Sequence, residues 1–112
     1  MKTIEKSAAQ GDVMFIRVDK LPADVKMVPI ADGRAVVAHS ETGHHHVAVA
    51  EQVRLFGTTN PMICYLSNES EHTDVVHERP YDTHETLRLA PGIWEVRRQR
   101  ESAPGGDRQV AD

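Results

Sequence analysis

"RAVVAHSETGHHHVAVAE", residues 34 to 51, sets two runs of small and β-branched apolar residues on either side of a polar turn, and the second run opens with three consecutive histidines. β-branched residues favour strands, and Gly43 can supply the positive φ that a tight reversal needs, so the stretch reads as a β-hairpin. Side chains alternate faces along a strand. His44, His46, Ala48 and Ala50 therefore share one face, and His45, Val47 and Val49 share the other. Two histidines at i and i+2 lie about 6.5 to 7 Å apart at the backbone and can converge on one ion. His39 ends the first run, close enough across the hairpin to join them, and the small Ala48 and Ala50 leave room for an ion or ligand.

The same short-strand grammar extends outward in both directions. Further strands are expected at "DVMFIRV" (12 to 18), "QVRLF" (52 to 56), "MICYL" (62 to 66), "DVVHE" (74 to 78), "ETLRL" (85 to 89) and "IWEVRRQ" (93 to 99). Turn-forming segments such as "LPAD", "ADG", "GTTNP", "SNES" and "APG" separate them. The expected fold class is all-β, a small antiparallel barrel or sandwich. The opening ten residues are expected to form a turn or two of helix. The tail from Glu101, with two glycines, a proline and few apolar residues, is expected to be flexible, which leaves a single β domain over residues 1–100.

A chain of 112 residues can close one hydrophobic core but not two. Aromatic residues make up only 4%, so that core must rest on Val, Ile, Leu, Met and Ala. The net charge of −4 disfavours a general polyanion-binding role. All seven histidines fall between His39 and His84, so acidification acts on one region. One cysteine, Cys64 in "PMICYL", permits no internal disulfide and reads as a buried, inert thiol suited to a reducing cytoplasm. No apolar run approaches the roughly 20 residues of a membrane-spanning helix, and the N-terminus lacks a signal-peptide pattern. Neither a nucleophile elbow nor a glycine-rich phosphate loop occurs. The basic run Arg97 to Arg100 is split between two strand faces, Arg98 sharing one with Trp94 and Val96, and reads as a solvated edge rather than a nucleic-acid surface.

His44, His46 and Glu51 resemble the HxH(x)3-4E core of the first cupin motif. That resemblance implies a β-barrel in which these side chains hold a divalent metal, completed by a histidine from a second motif, PxGxxH. Ala38 stands where the first motif carries glycine, and in "LAPGIWE" Glu95 stands where the second carries histidine. Alternation also puts Glu51 on the face opposite His44 and His46 unless a bulge intervenes. "TGHHH" together with "PGIWEVRRQRE" also resembles a small bacterial family without an assigned activity.

Among the remaining histidines, His77 shares a face with Val75 and is either a core residue or a further ligand. His84 falls at a strand end, where a barrel rim can hold a site. His72 lies in a polar loop and His45 faces away from its neighbours. The expected ligand set is His44 and His46 with one or two of His39, His77 and His84. Glu41, Glu78, Asp82 and Glu85 are available to accept the second ring N–H. Three imidazoles suit zinc, and histidines with a carboxylate also suit iron, manganese or nickel. A metal-dependent reaction on a small molecule is the leading expectation, with Arg54, Arg88 or Tyr65 orienting an anionic substrate. The alternative is a non-enzymatic interaction module, self-associating or binding a partner, nucleic acid among the candidates, whose histidines are structural or lie on its surface.

Overall fold

The computed structural model describes residues 2–39, 45–78, 85–103 and 106–109, from residue 100 onward by backbone alone. The strands in chain order are β1 (Thr3–Ile4), β2 (Ser7–Gln10), β3 (Val13–Val18), β4 (Lys26–Val28), β5 (Arg34–Ala38), β6 (His46–Val49), β7 (Arg54–Gly57), β8 (Ile63–Asn68), β9 (Thr73–His77), β10 (Leu87–Leu89), β11 (Gly92–Arg98), β12 (Arg100–Ala103) and β13 (Gly106–Gln109). Among the described residues there is no helix, and so none long and apolar enough to cross a membrane.

Two sheets make the body of the fold. One runs β1-β10-β9-β6-β5 and the other β2-β3-β11-β8-β7-β4. The expected hairpin from residue 34 is the antiparallel pair β5–β6; its turn, with Gly43 and His44, lies outside the described residues. The sheets do not close into a barrel, so of the two architectures expected the sandwich is found. Pairing is antiparallel except between β1 and β10, which run parallel. Within the stretch expected to be a flexible tail, β12 and β13 pair as a separate two-stranded sheet.

Alternation builds the core. Phe15, Leu66, Trp94 and Val96 of the six-stranded sheet face Ala35, Ala48, Val75 and Leu89 of the other, all 2% exposed or less. Trp94 donates its indole N–H to the Ala90 carbonyl at 3.0 Å, so the one large polar edge in this apolar layer is satisfied. Cys64 packs against the same cluster, where burial pushes its thiol up to about 12, in keeping with an inert residue.

Two local devices set the register around the histidines. Asp32 (φ 54°) and Gly33 (φ 65°) are the central pair of the turn into β5, with Arg34 N–H bonded to the Ala31 carbonyl at 3.1 Å. A Cβ on Gly33 would stand 2.7 Å from the Ala50 carbonyl oxygen. A bulge then falls between Val36, opposite Val47, and Ala38, opposite His46. The extra residue puts an alanine rather than a valine beside the His46 ring.

The opening residues are strands rather than helix. Ala8 and Gln10 of β2 pair with Phe15 and Val13 of β3, and completing the sheet edge outweighs the weak helical preference of "EKSAAQ". On the outer face of the five-stranded sheet, an ion pair from Arg34 on β5 to Glu78 beyond β9 spans β6, where Val47 is 1% exposed.

Candidate functional site

At the end of the sandwich where β6 begins and β9 ends, His46 and His77 are direct cross-strand partners. The flanking bond from Glu78 N–H to the His45 carbonyl, 2.8 Å, makes them a non-hydrogen-bonded pair, the closer of the two antiparallel arrangements. Their rings stack with centroids 4.0 Å apart and planes within 8°, and both residues are buried, at 0% and 1% exposure. Lone pairs of imidazole nitrogens lie in the ring plane. Two parallel rings at this spacing therefore cannot both aim a nitrogen at one ion.

The facing sheet supplies Gln10, Asp12 and Arg98. Gln10 Nε2 donates to the Val75 carbonyl at 2.9 Å and to the Glu85 carbonyl at 3.0 Å. With both amide hydrogens so used, Gln10 Oε1 is the acceptor in its 2.9 Å contact with His46 Nδ1. His46 is thereby the donor through Nδ1, and its Nε2 is turned towards Asp12.

His46 Nε2 and Asp12 Oδ1 are 3.8 Å apart. Asp12 reaches this position through the β2–β3 turn, a two-residue Gly11-Asp12 connection in which Gly11 takes φ 60° at the first central position. Its other oxygen lies 3.7 Å from Arg98 Nη2. Arg98 Nη1 donates to the His39 carbonyl, and Gln99 N–H donates to the Asp12 carbonyl at 2.9 Å. The Asp12 side chain is fully buried and that of Arg98 only 12% exposed, so the array of imidazole, carboxylate and guanidinium acts in a low-dielectric setting.

Of the five histidines expected as ligands, the structure brings His46 and His77 together. His39 stands instead with His45, ring centroids 5.2 Å apart in an edge-on arrangement. His44 and His84 lie outside the described residues. Among the described residues no group of three or more histidines, cysteines or acidic residues is arranged to hold an ion. Glu51 is exposed in the turn after β6 and His72 is exposed, while Glu85 contributes its carbonyl to Gln10 rather than its carboxylate to a histidine.

The residues expected to orient a substrate are elsewhere. Arg54 is exposed on the outer face of the six-stranded sheet, opposite Ser67. Arg88 makes a two-pronged pair with Asp74 on the outer face of the other sheet, at 2.9 and 3.1 Å. Tyr65 donates to Glu95 at 3.0 Å on an outer face. Alternation explains all three, since each is one step out of phase with a core residue. Gln10, Asp12 and Arg98 were not anticipated as site residues, although two signals for them exist: "QGD" is a hairpin turn, and Arg98 has the parity of Trp94 and Val96.

The chain belongs to the family described as a domain of unknown function (DUF8820), whose model matches residues 9–99 and so includes every member of the buried cluster. No curated protein and no solved structure matches the chain.

Proposed function

We propose that this domain binds a divalent metal, zinc first and iron, manganese or nickel next, with His46 Nε2 and Asp12 as two of its donors. The observation that carries the reading is the orientation of His46: its Nδ1 is held by Gln10 Oε1 at 2.9 Å, and its Nε2 lies 3.8 Å from a buried carboxylate oxygen. A ring N–H bonded to an amide oxygen behind the coordinating nitrogen is the support that metal-bound histidine usually has. Two donors to one tetrahedral ion, each about 2.0 to 2.2 Å from it, stand roughly 3.3 to 3.5 Å apart, so a shift of a few tenths of an ångström brings them together.

The likeness to the first cupin motif adds His44, two residues before His46, as a third donor, and His84 is the further candidate. His77 closes one face of the His46 ring and holds its plane. Arg98 offsets the Asp12 charge, and in this reading it would orient an anionic group on a small substrate. When bound, such an ion acidifies water or polarises a substrate oxygen.

A structural reading has one observation in its favour, the burial of both stacked rings. Elemental analysis separates the two. The protein is purified without a metal-affinity step, alongside His46→Ala, Asp12→Asn and His77→Phe variants, each checked for folding by circular dichroism. One ion per chain, lost in the first two folded variants and kept in the third, is the expected result. No ion in the parent, or an ion indifferent to both His46→Ala and Asp12→Asn, overturns the reading in favour of a structural cluster.

A further inference from the structure

The outer face of the six-stranded sheet carries a second site, which shares only Arg98 with the buried cluster. Met14 and Ile16 on β3 and Ile63 on β8 flank Glu95 and Arg97 of β11, so three apolar side chains point away from the core. An outward sheet face left to water is normally polar. Together with Asn60 to Met62 and Gln99, the apolar residues and Arg97 line a groove of about 610 Å³, within the range of small-molecule sites.

The charges at this groove are unequal in availability. Glu95 accepts from Tyr65 Oη through one oxygen and from Arg97 Nε through the other, and its side chain is 15% exposed. Arg97 is 52% exposed, and its two Nη groups bond to no described residue. The carboxylate is thus committed on both oxygens, while the guanidinium is held in place through Nε with its outer fork available. Such a fork matches a carboxylate in two-pronged geometry.

We propose that the groove binds a small amphiphilic carboxylate, its aliphatic chain on Met14, Ile16 and Ile63 and its head on the Nη groups of Arg97. From β3 to β8 is two strand spacings, about 10 Å, close to the length of an eight-carbon chain.

Octanoate, octan-1-ol and octylammonium titrated into the full chain by calorimetry test this. Octanoate is expected to saturate one site, octan-1-ol to bind about tenfold more weakly, and octylammonium not to bind, because a hydrogen-bonded charged head group adds roughly that factor. Arg97→Met reduces octanoate to the level of octan-1-ol with an unchanged melting temperature, and Ile16→Asp abolishes both. Equal binding of all three probes, unchanged octanoate binding by Arg97→Met, or no saturation at all overturns the proposal. So does adsorption to anionic phospholipid vesicles without binding of soluble octanoate, which would make the face a membrane-contact surface.

Discussion

Gln10 decides which nitrogen of His46 carries the proton. Its amide nitrogen is held by two backbone carbonyls, so its oxygen can only accept, and the imidazole beside it must donate through Nδ1. A residue on an edge strand of one sheet thereby sets the donor nitrogen of a histidine at the end of an inner strand of the other.

Gln10→Leu keeps the volume and removes the acceptor. It leaves the Nδ1–H and two carbonyls to find other partners in a buried place, a loss of about 1 to 3 kcal/mol per unsatisfied group. Urea unfolding monitored through Trp94 should show the midpoint falling with an unchanged slope. In the metal reading, affinity for the ion falls roughly 10- to 100-fold in the same variant, the cost of losing support behind a ligand.

His77→Phe retains a flat ring against His46 and should lose less stability than truncation of the ring. His77→Ala empties that face and should cost about 2 to 5 kcal/mol, as large-to-small core changes do. Thermal melts of the two variants side by side check the order.

Gly33→Ala tests the turn that sets the β5–β6 register. Its φ of 65° disfavours any side chain, and the added methyl would meet the Ala50 carbonyl at 2.7 Å, a backbone atom that cannot swing aside. A loss of more than about 1 kcal/mol is expected, which lowers the melting temperature by roughly 4 °C or more in a domain of this size.

The pair between Asp74 and Arg88 gives a pH dependence whose sign is fixed. The hydrogen-bonded Arg88 guanidinium holds the Asp74 carboxyl below its usual 3.8. The pair therefore contributes fully above that value and loses its contribution as the pH falls through the folded-state pKa. The stability difference between the parent and Asp74→Asn should shrink towards zero on acidification, and a difference that grows would contradict the assignment.

Cys64, with a thiol pushed up to about 12, should resist aromatic disulfide reagents at neutral pH in the native protein and react at once after denaturation.

Much of this architecture was readable from alternation. β3, β5, β6, β8, β9 and β11 all fall where β-branched runs stand between turn signals, and the shared face expected of His46 and Ala48 is found, turned to the core. Of the strands that escaped, β12 and β13 lie in the stretch expected to be a flexible tail, and β1, β2 and β4 are short edge elements. Their residues become strands by pairing with a neighbour, and a pattern of their own is too brief to show it. The site was legible only in halves. Periodicity told which neighbours His46 and His77 share a face with, but their stacking depends on the β6–β9 register, and Gln10 and Asp12 enter through a hairpin whose first arm was read from sequence as helical.

The placement of β11 carries a consequence for biosynthesis. The last strand of the sandwich to be translated is inserted between β3 and β8, both made earlier. Until it leaves the ribosome, those two strands offer unsatisfied margins on which apolar neighbours in the cell can template. Arg98 arrives with it, so one insertion both seals those margins and completes the buried polar cluster.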